Sequence, residues 1–214
     1  MAFDSTSRRR FAGVLVVAVA TAVMAASAAA PAKADLIGSL LTGNCPTNGQ
    51  QVFAQWGDYA SYFLAPNGGL ELGSAGWSLN GGASVVSGNE PFLPTGTHSL
   101  ALPSGSSAMS PVTCIGPKNI YVRMFGTDSE GSDSGLRVRV YWYGLLNKLL
   151  GFNDYTTFRS GSDWAPTSKL NSTSVPLLAV PILGSTSARI QFTPLGSGSD
   201  WQIDDVYVDP WLSR

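Results

Sequence analysis

Two stretches constrain this chain more than any others. Asn119–Phe125 (NIYVRMF) and Leu136–Tyr143 (LRVRVYWY) alternate apolar and polar residues with a period of two. Successive side chains of an extended backbone leave opposite faces, so each stretch sends one set of residues into a core and the other set away from it. Shorter apolar runs continue the rhythm at Gly76–Ser87 (broken at Gly81-Gly82), His98–Leu102, Ala108–Cys114, Ala188–Phe192 and Trp201–Val208. Turn residues separate them throughout, 24 Gly and 13 Pro among them, which leaves no room for long helices. Many short strands between turns make a sandwich or a barrel, and an all-β domain is expected. Leu145–Leu150 is the only helical turn expected. Ser174–Leu183 carries Pro176 and Pro181 and is expected at a sheet edge or in a loop. The string SGSDW occurs twice, at Ser160–Trp164 and Ser197–Trp201. It reads as a turn delivering a core tryptophan and not as a true repeat.

The first 34 residues follow a different logic. Arg8, Arg9 and Arg10 precede an uncharged Ala/Val-rich stretch, Phe11–Ala30, and then Ala32-Lys33-Ala34. A charged start, an apolar run and a small-x-small site are the parts of a cleaved signal peptide. A membrane anchor is the other use of such a stretch, but its weak, Ala-rich hydropathy favours cleavage. Ser7-Arg8-Arg9-Arg10-Phe11 resembles the twin-arginine export motif, departing from it at Ala12 and Gly13. The general secretion route stays open beside it. No later segment supplies the ~20 apolar residues that a span requires. The expected organisation is a signal peptide over 1–34, an extension over 35–62 packed on the domain, and a β-sandwich over 63–214, secreted or held at the cell surface.

Residues 1–34 carry Arg8, Arg9, Arg10, Lys33 and Asp4. Nine basic and thirteen acidic residues therefore remain after them, a net charge near −4. That balance argues against nucleic acid and against a strongly anionic partner. The two cysteines, Cys45 and Cys114, are expected to pair in an oxidising compartment. His98 is the only histidine, so neither a zinc site nor a His-based triad is assembled. No G-x-S-x-G is present either; Gly131-Ser132-Asp133-Ser134-Gly135 has Asp at its centre. A catalytic role is not expected.

One constellation is more specific. Asn67-Gly68-Gly69-Leu70-Glu71-Leu72-Gly73 runs on to Trp77 and Gly81-Gly82-Ala83, and Ile203-Asp204-Asp205-Val206 lies near the C-terminus. Together with Thr97–Leu102, these segments resemble the jelly-roll carbohydrate-binding modules of the xylan- and cellulose-binding type, within the galactose-binding-like superfamily, in exported bacterial proteins. The resemblance spans about Phe63 to Pro210, although only the two ends and one middle strand carry the motifs. Leu70 stands where those modules usually have Phe. The resemblance implies a jelly-roll β-sandwich in which the glutamate of a first strand and the first aspartate of the last strand approach each other. Glu71 and Asp204 would then be side-chain ligands of a structural calcium ion, an oxygen-ligand site suited to Ca²⁺. Alternation places Asp204 opposite Ile203 and Asp205. Without a metal, Asp204 would cap loop amides and Asp205 would be solvated.

The long alternating strands supply a candidate binding face. With Val122, Met124, Val138, Val140 and Trp142 in the core, Tyr121, Arg123, Arg137, Arg139, Tyr141 and Tyr143 point the other way. Tyrosine faces stack on pyranose rings and arginines donate to hydroxyls. The same residues also suit a solvated face of cross-strand Tyr–Arg pairs. A single patch requires the two strands to be neighbours, as sequential strands usually are. The leading expectation is non-catalytic binding of a cell-wall or environmental polysaccharide. The alternatives are a structural or adhesive surface protein of the same fold and, less favoured, a small hydrolase.

Overall fold

The computed structural model describes residues 45–46, 48–94, 96–114, 120–129, 134–159, 161–170 and 185–210. The signal segment and Ser174–Leu183 lie outside them, and the Gly131–Gly135 string is described only at its last two residues. The strands are β1 Phe63–Leu64, β2 Ser78–Asn80, β3 Ser84–Ser87, β4 His98–Pro103, β5 Ser107–Met109, β6 Thr113–Cys114, β7 Tyr121–Asp128, β8 Gly135–Gly144, β9 Leu149–Phe158, β10 Ala165–Pro166, β11 Ser185–Leu195 and β12 Asp200–Asp209. They form two antiparallel sheets. The first runs β10-β7-β12-β4-β3 with β1 on β12; the second runs β2-β5-β11-β8-β9 with β6 on β11. The chain passes repeatedly from one sheet to the other, and the result is an antiparallel two-sheet β-sandwich with jelly-roll strand order.

Period-two alternation fills the space between the sheets. Val122 and Met124 enter from β7, Val138, Val140 and Trp142 from β8, Ile190 and Phe192 from β11, and Trp201 and Ile203 from β12, each at most 1% exposed. Where one strand lines such a core, a polar residue at an inward position has to find a partner inside. Trp201 meets this demand by donating its indole N–H to Ser134 Oγ at 3.0 Å. This is the second SGSDW tryptophan; the first, Trp164, packs against a different cluster.

Three local expectations are corrected. Leu149 and Leu150 belong to β9, which runs on to Phe158, and only Leu145–Asn147 makes a single 3-10 turn. Leu146 (φ 55°) and Asn147 (φ 58°) are both left-handed there. Two successive positive φ values match the twist of a tight hairpin, so β8 and β9 are directly joined. Asn67–Gly76 is not a strand but a run of turns. Asn67 (φ 50°) organises it, accepting from the amide of Leu72 and donating to the carbonyls of Gly73 and Ala75. Finally, alternation breaks in β12: Asp205 adopts φ 49° and the β12–β7 register shifts between Asp204 and Tyr207. A bulge of this kind advances the phase by one residue, so Val206 and Val208 rejoin the core and Asp205 is buried, not solvated.

Candidate functional site

The six expected face residues do not form one patch. β7 lies in the first sheet and β8 in the second. Tyr121 and Arg123 therefore point away from Arg137, Arg139, Tyr141 and Tyr143, from opposite sides of the sandwich. The expectation failed because β7 and β8 belong to different sheets, whereas hairpin neighbours would have shared one.

The outer face of the first sheet is covered. Residues 48–62 lie over it, and Cys45, shortly before them, is disulfide-bonded to Cys114 (Cα–Cα 5.3 Å). Phe53, Ala60 and Tyr62 pack on Phe125 as a second apolar cluster, with Trp56, Tyr121 and Tyr207 against it. Arg123 is 5% exposed and has its guanidinium 4.0 Å from the centroid of the Phe53 ring. Its Nη1 donates to Asp58 Oδ2 at 2.8 Å, and Nε donates to the Thr167 carbonyl at 2.9 Å. Lys169 Nζ stands 4.9 Å from the Tyr121 ring centroid. This pair is structural.

The outer face of the second sheet carries the other four residues. Strand register sets Arg189, Tyr141 and Phe152 in one row across β11, β8 and β9, and Gln191, Arg139 and Asp154 in the next. The Tyr141 and Phe152 rings lie 5.6 Å apart, and Phe152 is 49% exposed. Tyr141 donates its hydroxyl hydrogen to Gln191 Oε1 at 3.1 Å. Arg139 grips Asp154 with a fork, Nε to Oδ1 at 2.6 Å and Nη2 to Oδ2 at 3.0 Å. Its guanidinium lies 4.1 Å from the Phe152 ring centroid. The Asp154 hydrogen bond, foremost, raises the Arg139 pKa, and the same bond lowers that of Asp154. Tyr143 pairs in register with Leu149, and Arg137 lies beyond Arg139 on β8. Phe152, Asp154, Gln191 and Arg189 were not singled out in the sequence. The signal for the first two was the LLGFNDY run after the β8 alternation, which reads as a strand once Leu146-Asn147 is read as its hairpin turn.

The carboxylates gather elsewhere. Glu71 is exposed, and its oxygens accept from the Thr97 amide at 2.7 Å, the His98 amide at 2.9 Å and the Thr97 hydroxyl at 3.0 Å. These bonds, that of the Thr97 amide foremost, hold its pKa at about 2. Asp204, wholly buried, accepts instead from the amides of Glu90 (3.3 Å) and Asp205 (2.7 Å). Glu71 and Asp204 thus accept from separate backbone donors. Glu90, also buried, was missed because it lies in a Pro-rich loop without a motif. Burial, and then the Asp205 charge, pushes the Asp204 carboxyl up to about 8; burial, and then Glu90 and Glu71, pushes Asp205 up to about 6. Asp205 Oδ2 is buried without a hydrogen-bond partner. Gly69 permits this packing, since a Cβ there would come within 2.8 Å of Asp205 Oδ1. Hard oxygen donors with one orphaned atom have the chemistry of a hard-cation site. Among the described residues, however, no three acids, thiols or imidazoles are grouped closely enough to hold a metal ion, so backbone carbonyls would have to complete any such shell.

The fold is a β-sandwich whose second sheet carries an outer face of aromatic and arginine side chains. No family model matches the chain, and no curated protein matches it. Among solved structures it is similar to a tailspike protein 4 enzymatically active domain of bacteriophage CBA120, at 16% identity over 67% of this chain, with TM-score 0.47. The chain spans 21% of that protein's length. It is also similar to a family 16 carbohydrate-binding module, at 18% identity over 69% of this chain and 99% of that one, with TM-score 0.46. A third is the CBM22-1 xylan-binding domain of Paenibacillus barcinonensis Xyn10C, at 10% identity over 62% and 84%, with TM-score 0.41. The similar structures thus include both binding modules and part of an enzyme. No helix among the described residues is long and apolar enough to cross a membrane.

Proposed function

We propose that this chain is an exported, non-catalytic glycan-binding protein that binds polysaccharide on the outer face of β8, β9 and β11. The observation that carries the reading is the Tyr141–Phe152 ring pair with its exposed Phe152 edge. Arg139, Asp154 and Gln191 hold the pair in place. Aromatic rings fixed before the ligand arrives offer stacking area at little entropic cost, and the surrounding amide and guanidinium groups can reach sugar hydroxyls. On the opposite sheet, Tyr121 and Arg123 are taken up by packing against Phe53, Asp58 and Lys169. The test is binding of the mature chain to a glycan array, followed by calorimetry on the best ligand. Tyr141→Ala and Phe152→Ala should each cost about 1–2 kcal/mol of binding and leave the melting temperature nearly unchanged. Full affinity in both variants would move the site elsewhere.

The acidic cluster supports a further part of the proposal, a structural calcium ion. Asp204 and Asp205 would hold it, completed by backbone carbonyls, and Glu71 would stay on Thr97 and His98. The ion would satisfy Asp205 Oδ2 and bear the charge that burial otherwise opposes. A chelator should lower the melting temperature of the wild type and leave that of Asp205→Asn unmoved. A wild-type melting curve indifferent to chelator would remove calcium from the account.

A further inference from the structure

We propose that the glycan taken by this face is acidic, a polysaccharide bearing carboxylates such as a polyuronate; the inference rests on the glycan-binding reading above. The net charge of the exported chain is negative, but the charges are partitioned. Arg137, Arg139 and Arg189 project from the outer face of the second sheet, and Lys148 sits exposed on the β8–β9 hairpin at its end. Among the described residues, Asp154 is the one acidic group on that face. The other described acids lie on the strands of the first sheet, in residues 45–62 or in loops: Asp58, Asp128, Asp200, Asp204, Asp205 and Asp209, with Glu71, Glu90 and Asp163. A chain that is acidic as a whole therefore presents a cationic surface at its recognition face, and the sequence sum hides it.

Among the described residues, Asp154 is the one acid that faces these cations; it is hydrogen-bonded to Arg139 and lies within electrostatic reach of Arg137. Its carboxylate is taken up by the Arg139 fork. Arg189 spends Nε on the Ser110 carbonyl at 3.0 Å, a neutral acceptor that leaves its charge uncompensated. Arg137 is half-buried, and its Nε is shielded from solvent with no hydrogen-bond partner. A planar carboxylate is the acceptor whose geometry matches the guanidinium fork. Tyr141 and Phe152 lie one and two strands from Arg189 in the same row, so a pyranose stacked on them would bring its ring substituents within range of the unmatched arginines. A neutral sugar would satisfy the stacking and leave those charges unanswered.

The experiment is affinity electrophoresis and calorimetry of the mature chain against polygalacturonate, neutral β-1,4-galactan, neutral xylan and dextran sulfate, at 50 and 500 mM NaCl. The expected result is binding to polygalacturonate that weakens strongly at the higher salt and exceeds that to the neutral glycans and dextran sulfate. Arg137→Ala and Arg189→Ala should each weaken it by roughly tenfold. Arg137→Lys should recover only part, because a point charge replaces a fork. Neutral glycans bound as tightly as polygalacturonate, with the Tyr141 dependence intact, would overturn the acidic ligand and leave the glycan-binding face standing. Dextran sulfate bound more tightly than polygalacturonate would overturn the choice of carboxylate. Binding to none of the four would overturn both readings.

Discussion

Asp58→Ala is the substitution that most directly probes how residues 45–62 are held. Four donors converge on this carboxylate: Arg123 Nη1 at 2.8 Å, Lys169 Nζ at 2.8 Å, the Tyr62 hydroxyl at 2.7 Å and the Ala60 amide at 3.2 Å. The side chains of Asp58 and Arg123 are only 10% and 6% exposed. Removing the acid strands a buried guanidinium above the Phe53 ring, and breaking a buried pair from one side costs about 3–5 kcal/mol. The pH dependence gives an independent figure. Burial alone would raise the Asp58 pKa, but the hydrogen bonds from Lys169, Tyr62, Arg123 and Ala60 outweigh it and bring the value down from 3.8 to about 2. A carboxyl depressed in the folded state adds stability that is fully present above pH ~4 and disappears as pH falls toward ~2. At 1.36 kcal/mol per unit this amounts to about 2 kcal/mol. Urea denaturation followed by tryptophan fluorescence, at pH 7 and in steps from pH 4 to 2, measures both. The variant should be less stable by about 3–5 kcal/mol at pH 7 and should lose part of the wild type's acid sensitivity. Arg123→Met added to Asp58→Ala should recover stability, because the unpaired charge is then gone. A loss below 1 kcal/mol at pH 7, or a double variant as damaged as the sum of the singles, would refute the anchor.

Two further predictions concern stability alone. Reducing the Cys45–Cys114 bond, which spans a sequence separation of 69, should cost about 4 kcal/mol on the chain-entropy estimate; a denaturation midpoint unchanged by reductant would contradict this. Leu146→Asn should raise stability by about 1 kcal/mol, a melting shift of roughly 2–4 °C. Leu146 is fully exposed and left-handed, a conformation that Asn tolerates better; an unchanged or lower melting temperature would show that the turn carries no such strain.

The core was legible because each inward residue of β7 and β8 could be read from two-residue alternation. The sandwich followed from the number of such runs. What alternation cannot show is which sheet a strand joins. That one ambiguity split the expected face, sending Tyr121 and Arg123 to the buried side and leaving Arg137, Arg139, Tyr141 and Tyr143 on the open one. Phe152 escaped notice because its strand follows a turn built on Leu146, where turn chemistry favours Asn or Gly. Asp205 was misread for a related reason: a bulge shifts phase without leaving a mark in composition. The disulfide was foreseen from compartment and parity alone. The Glu71–Asp204 clamp was an expectation from a motif; each carboxylate accepts from its own set of backbone amides. Glu90 faces the same interior as Asp204, and only three-dimensional proximity reveals it.

The central claim is that one outer face, and not its opposite, recognises sugar. An amide chemical-shift titration of the ¹⁵N-labelled mature chain tests it most directly, with oligogalacturonide and then β-1,4-galactan fragments added in turn. The account predicts shifts confined to Arg137–Tyr143, Phe152–Asp154 and Arg189–Thr193, with Tyr121, Arg123 and residues 48–62 unmoved. Shifts centred on those latter residues, or none with either ligand, would contradict it.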